Sequence, residues 1–188
     1  MKRSIQFAVA ILAILFLASN GEAYSQLGLH LGMQKARDAD EASSMVGSSI
    51  RSRLENYGIE ASIDYRREKF FDGEATVTTW PVMLTLLYFP IPFIHGDIGA
   101  GWFNTSIDYS TTLENQGAKD NASQKFGWHF GGGVEFPIQK VTLTAIVRYV
   151  FIDYDWNYVP GTSGRRGDFY MMTFGMLFGS NKSRYQII

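Results

Sequence analysis

The fold turns on the stretch Phe126–Phe151, FGWHFGGGVEFPIQKVTLTAIVRYVF, which holds two alternating runs around the breaker Pro137-Ile138-Gln139-Lys140. In the first run Trp128, Phe130, Gly132, Val134 and Phe136 share one face, opposite Gly127, His129, Gly131, Gly133 and Glu135. In the second, Val141, Leu143, Ala145, Val147, Tyr149 and Phe151 stand opposite Thr142, Thr144, Ile146, Arg148 and Val150. A period of two marks strands, and two such runs about a short turn mark an antiparallel hairpin. One face is large and mainly apolar, the other small, polar or charged. In a soluble sandwich the large face is the core. In a small membrane barrel the large face meets lipid and the small face fills a narrow lumen.

The bulk properties leave both readings open and exclude others. The 188 residues suffice for one domain. A formal net charge of −1 gives no reason to expect a nucleic-acid partner. Mean hydropathy near zero (−0.07) excludes a helical multi-span protein but not a barrel, whose alternating faces average out. The absence of cysteine excludes a disulfide framework and a Cys-ligated metal. At the N-terminus, Lys2 and Arg3 precede the apolar run FAVAILAILFLA (Phe7 to Ala18), and Gly21-Glu22-Ala23 supplies small residues at −3 and −1 of a cleavage site. This pattern predicts a secretory signal peptide over 1–23. No later run reaches the roughly 18 apolar residues of a spanning helix, so a mature chain embedded in a membrane crosses it as strands.

Alternation predicts eight strands and no helix. The first carries Leu27, Leu29, Leu31 and Met33 against Gly28, His30, Gly32 and Gln34. The second runs from Met45 to Leu54 and the third continues from Ile59. The fourth spans Ala75 to Tyr88, with Trp80, Val82, Leu84, Leu86 and Tyr88 on its heavier face, and the fifth Ile94 to Tyr109. The opening hairpin gives the sixth and seventh, and Asp168 to Gly179 the eighth, with Tyr170, Met172, Phe174, Met176 and Phe178 on one face. Connections 35–44, 71–74, 110–124 and 155–167 are mostly long and polar, whereas 55–58, 89–93 and 137–140 are short. Transmembrane barrels separate short periplasmic turns from longer outer loops in this way. An even strand count then puts both termini in the periplasm. A weak repeat, Ile63-Asp64-Tyr65, Ile107-Asp108-Tyr109 and Ile152-Asp153-Tyr154, recurs once per hairpin at the outer strand ends. In the fifth and seventh strands it is out of phase with the span below, as a bulge or the top of a barrel would make it.

Volume and aromatic placement favour the membrane reading. An eight-stranded barrel is just wide enough for side chains to fill, which suits the Gly131–Glu135 face. Tyr65, Trp80, Tyr109, Trp128, Tyr149, Tyr154 and Tyr170 fall near the outer ends, and Tyr88, Phe89, Phe93, Phe136 and Phe178 near the periplasmic ends. Two belts bracketing Leu84, Val134 and Val147 match the two bilayer interfaces. The signal peptide, the eight strands, the GWHFGGGVEFP…LTAIVRYVFIDYD stretch and the aromatic-ended last strand resemble the small bacterial outer-membrane β-barrel family, which includes the OmpA-type transmembrane domain and OmpX-like proteins. The resemblance covers essentially the whole mature chain. It implies an all-β, eight-stranded antiparallel up-and-down transmembrane barrel over 24–179, with a short periplasmic tail over 180–188. It also implies insertion by the outer-membrane assembly machinery. Thr173, Gly175 and Phe178 fit the family's terminal signal, while Ser180 stands where its final aromatic belongs.

The predicted lumen face collects Arg51, Arg53, Glu60, Asp64, Asp97, Glu135 and Arg148. A charge shut off from water needs a partner, so these residues are expected to form an ion-pair network. Counting back from a 55–58 turn sets Arg53 opposite Glu60 and Arg51 opposite Ser62; the same counting sets His129 opposite Arg148. Histidine invites an acyl-hydrolase hypothesis, but no serine lies within two positions of His129 on that strand, as a nucleophile–base pair requires. His30 and His95 lie on other strands, with no metal-ligand spacing. Neither catalysis nor a cofactor is expected. Arg66, Arg67 and Lys69, with Arg165 and Arg166, are expected at the outer rim, where positive charge could pair with lipopolysaccharide phosphates. The expected function is a non-enzymatic outer-membrane barrel with a filled lumen and a structural or surface-interaction role. The alternatives are a narrow porin-like passage for small or hydrophobic solutes and a soluble eight-stranded ligand carrier.

Overall fold

The computed structural model of the chain describes residues 24–37, 39, 41–70, 72–112, 121–152 and 168–179. The predicted signal peptide, Tyr154, Arg165, Arg166 and the tail 180–188 lie outside the described residues. Eight strands follow in chain order: β1 (Tyr24–Ala36), β2 (Ser43–Leu54), β3 (Tyr57–Phe70), β4 (Ala75–Ile91), β5 (Ile94–Tyr109), β6 (Asn121–Ile138), β7 (Val141–Phe151) and β8 (Phe169–Gly179). Each pairs antiparallel with its sequence neighbours, and β8 closes on β1 from Gln26↔Gly179 to Ala36↔Phe169, giving a closed barrel. Closure leaves no unpaired edge, as spanning a bilayer demands of a sheet.

The two faces are inverted relative to a soluble protein. On β1 the side chains of Leu27, Leu29, Leu31 and Met33 are exposed, Leu31 at 66%. Inside the barrel Arg51 is 2% exposed and Glu60 3%. The strand period puts every second residue on each face, so the sequence cannot send one set outward without sending the other inward. A protein that exposes a continuous apolar wall and encloses its charges is built for lipid rather than water. Along β4 the outward side chains are Trp80, Val82, Leu84, Leu86 and Tyr88. Trp80 to Tyr88 spans eight residue steps. At ~3.3 Å each and a tilt of ~40° they rise about 20 Å, close to the ~25 Å apolar band of such barrels.

The connections are asymmetric, and the short ones are tighter than expected. Glu55-Asn56, Pro92-Phe93 and Gln139-Lys140 are the only residues between their strands. β4 therefore runs through Phe89 and Pro90 to Ile91, with a register irregularity between Tyr88 and Ile91. β6 begins at Asn121, five residues before the predicted run. At the opposite end Asp72 and Gly73 have φ of 54° and 87°, the paired positive values of a type I′ hairpin turn and the usual reason for Asp-Gly.

Two assignments in the aromatic belts are corrected. Phe89 and Tyr109 point inward and are buried, at 1% and 7% exposure. The β4–β5 pairing is continuous from Ala75↔Tyr109 to Tyr88↔Gly96, so no bulge shifts the repeat on β5. Ile107 and Tyr109 share the inward parity of Phe103 and enter a largely apolar part of the interior. There Ala36, Met45, Phe70, Phe103, Ile107, Val150, Phe169 and Met171 belong to one buried cluster.

Candidate functional site

The charged interior lies toward the end with the two-residue turns. Its register comes from the Glu55-Asn56 turn, which pairs Leu54 with Tyr57 and so sets Arg51 opposite Glu60 and Arg53 opposite Gly58. This corrects the predicted pairing of Arg53 with Glu60 by two positions. Arg51 Nε and Nη2 donate to Glu60 Oε2 at 2.9 and 2.6 Å, and Nη1 donates to Glu135. Arg148 reaches Glu60 Oε1 through Nη2 at 3.0 Å and Asp97 Oδ1 through Nε at 3.1 Å. Glu60 thereby joins two arginines across the barrel. Arg53 sits 3.5 Å from Glu135, lies 3.5 Å above the Phe89 ring and donates to the Glu55 carbonyl at 3.1 Å. His95 stands between Asp97 and Glu135, at 3.8 and 3.7 Å.

Arg51, Arg53 and Arg148 thus meet Glu60, Asp97 and Glu135, three formal charges of each sign. Burying an ion of either sign costs several kcal/mol unless a partner restores the lost hydration. Equal numbers in shared contact meet that condition.

Asp64, grouped with these residues in the sequence, is elsewhere. It pairs with His30 at 2.5 Å across β2, over Gly47. A Cβ on Gly47 would lie 2.0 Å from Asp64 Oδ1 and 2.4 Å from His30 Nε2, so the missing side chain is what lets the pair meet. His129 is opposite Val150, not Arg148, because the β6–β7 turn is Gln139-Lys140 alone. Its Nε2 lies 3.1 Å from Thr85 Oγ1.

Of the predicted rim cations, Arg67 and Lys69 are exposed on β3. Arg66 is not at the rim: it alternates inward, is 1% exposed, donates to Gln34 Oε1 at 3.0 Å and stacks 3.8 Å from the Phe169 ring. Glu68, buried 3.9 Å from Arg66, accepts from the Ala36 backbone N–H at 3.2 Å. The Gln34–Arg66–Glu68 group was missed in the sequence. The signal for it was parity, since Arg66 and Glu68 share the β3 face of Glu60 and Asp64.

Among solved structures the chain is similar to Neisserial surface protein A, with a TM-score of 0.56 and 17% identity over 85% of this chain and 97% of that one. It is also similar to Ail, the attachment invasion locus protein of Yersinia pestis, in a crystal structure with the heparin analogue sucrose octasulfate. That match has a TM-score of 0.50 and 13% identity over 84% of this chain and 97% of that one. The likeness is one of fold, that of the small eight-stranded outer-membrane barrels. No protein-family model and no curated protein matches the sequence.

Proposed function

We propose that this chain, folded as the small eight-stranded outer-membrane barrels are, is a non-enzymatic outer-membrane protein with a closed lumen, and that it serves a structural or surface-interaction role. The observation that carries this reading is the content of the barrel. Three arginines and three carboxylates cross-link β2, β3, β5, β6 and β7 at one level. A buried apolar cluster follows toward the other end. Ions meet a paired charge layer and then a tightly packed, largely apolar layer whose Gln34, Arg66 and Glu68 are already engaged with one another. In this reading the two-residue turns and both termini face the periplasm, and the opposite end, with Arg67 and Lys69, meets lipopolysaccharide. Insertion relies on the outer-membrane assembly machinery.

Planar-bilayer recording of the refolded full chain tests this. The expected result is a membrane that stays at baseline while a porin control conducts. Steady channels would overturn the closed lumen and favour a narrow passage for small or hydrophobic solutes.

A further inference from the structure

The lipid-facing wall is not smooth. β3 to β6 carry a groove of about 390 Å³ lined by Ile59, Leu84, Leu86, Ile98, Ala100 and Trp128. Short side chains make it. Ala100 is in register with Leu84 on one side and Trp128 on the other, and Ala61 with Leu84. The same outward face of β3 continues from Ala61 to Arg67 and Lys69, both exposed. Their cross-strand neighbours on β4 are the uncharged Thr78 and Thr76. Three acids share this rim: Asp72, exposed in the β3–β4 turn, Glu74 and Asp108. Asp108, paired with Thr76, has Oδ1 3.4 Å from Ser106 Oγ, which donates to it, and Glu74 is hydrogen-bonded by Ser110. Between groove and rim stand the rings of Tyr65 and Trp80, 4.5 Å apart, and of Trp102 and Phe126, 5.8 Å apart, at the height of an interfacial belt.

The spacing between cations and groove matches one lipid leaflet. Six residues from Ala61 to Arg67 cover ~20 Å along the strand. A tilt of ~40° turns this into a rise of ~15 Å, half of the ~30 Å hydrocarbon core. A lipid whose phosphate meets the cations therefore ends its acyl chain at the groove. We propose that this wall is a binding site for one anionic lipid of the lipid A class. Its phosphate lies on Arg67 and Lys69, and one acyl chain lies in the groove over Ala100. Arginine holds phosphate through charge-assisted, bidentate hydrogen bonds. Lipid tails are already apolar, so the groove gains nothing by transfer from water and acts through close van der Waals fit. The charges supply most of the affinity and the groove selects the chain. This site rests on the outward orientation proposed above.

The test uses the full chain refolded in detergent, titrated with bis-phosphorylated hexa-acyl lipid A and followed by native mass spectrometry. Parallel titrations use phosphatidylglycerol and inorganic phosphate. The wild type should retain one lipid A. Arg67→Glu with Lys69→Glu should weaken retention about tenfold or more, the scale of lost charge-assisted contacts. Ala100→Trp should weaken it by a smaller factor, and inorganic phosphate should not compete at equal concentration. Ala100→Leu serves if the tryptophan variant fails to show the heat-modifiable gel shift of a folded barrel. Lys35→Glu, a single charge reversal on β1, two strands from the cations, should leave retention unchanged, whereas Arg67→Glu alone should weaken it. The proposal is overturned if Lys35→Glu is as damaging as Arg67→Glu alone, if filling the groove has no effect, or if phosphatidylglycerol binds as well and as stoichiometrically. Channel activity would sink the closed lumen without touching this result, and loss of retention in a silent barrel would sink only the lipid site.

Discussion

At the scale of single residues, Arg51 carries the heaviest share of the interior. It makes two hydrogen bonds to Glu60 and one to Glu135, and it is almost wholly buried. Arg51→Met keeps the length of the side chain and removes the charge. Of the arginines Glu60 would keep only Arg148, and Glu135 only the 3.5 Å contact with Arg53, beside His95 at 3.7 Å. Breaking a buried pair by removing one partner costs about 3–5 kcal/mol. Urea unfolding in lipid vesicles, followed by tryptophan fluorescence, should show a loss on that scale. Arg53→Met should cost less, because its carboxylate contact is longer and its stacking on Phe89 is partly replaced by the methionine. The reverse order would mean that the network is centred on the turn-side arginine. That these residues face inward was legible in the sequence, since parity alone decides it. Which carboxylate each arginine takes was not legible, because that depends on register.

Register belongs to the scale of elements, and it is set by the turns. The expected four-residue connections at 55–58 and 137–140 contain two-residue turns, Glu55-Asn56 and Gln139-Lys140. Each moves its strand pairing by two positions, which keeps every side chain on its face but changes its neighbour. The usual marker of such turns is Gly or Asn where φ is positive. Here Glu55 and Gln139 hold φ of 51° and 54° with ordinary side chains, so the sequence offered no marker. The Asp72-Gly73 turn, which has one, was read correctly. The unmarked turns are strained: a non-glycine residue in the left-handed region costs about 1–2 kcal/mol. Gln139→Gly should therefore stabilise the barrel by up to about 1 kcal/mol, less glycine's greater freedom in the unfolded chain. It would appear as a higher urea midpoint at unchanged slope. A lower midpoint would mean that the Gln139 side chain contributes more than its backbone costs.

At the scale of the molecule, the barrel interior is divided along its axis. Composition announced the polar half, since charges on a lumen face stand out. The apolar half was hidden: Tyr109 read as a belt residue, and Phe103 and Phe169 were assigned to no face until the strands closed around them. In β5 the inward face changes from His95 and Asp97 to Phe103 and Ile107 within one strand. The two layers oppose ions by different physics. In the closed-lumen reading the charges of the first layer are already paired with one another, and the second packs apolar side chains around the Gln34–Arg66–Glu68 group, leaving an incoming ion little to replace its hydration. Phe103 is six residue steps from Asp97, a rise of roughly 15 Å at the usual tilt, so a defect in one layer leaves the other intact. Arg148→Ala, which frees Asp97, and Phe103→Ala, which opens an apolar cavity at a cost of about 3–5 kcal/mol, should each give a folded barrel that stays silent in planar bilayers. The double variant should conduct in brief openings, selective for cations because Asp97 and Glu60 lose Arg148 while their charge remains. Conduction by Arg148→Ala alone would show that the apolar layer is no barrier. A silent double variant that still gives the heat-modifiable gel shift would place the decisive barrier in the remaining contacts of Arg51 with Glu60 and Glu135.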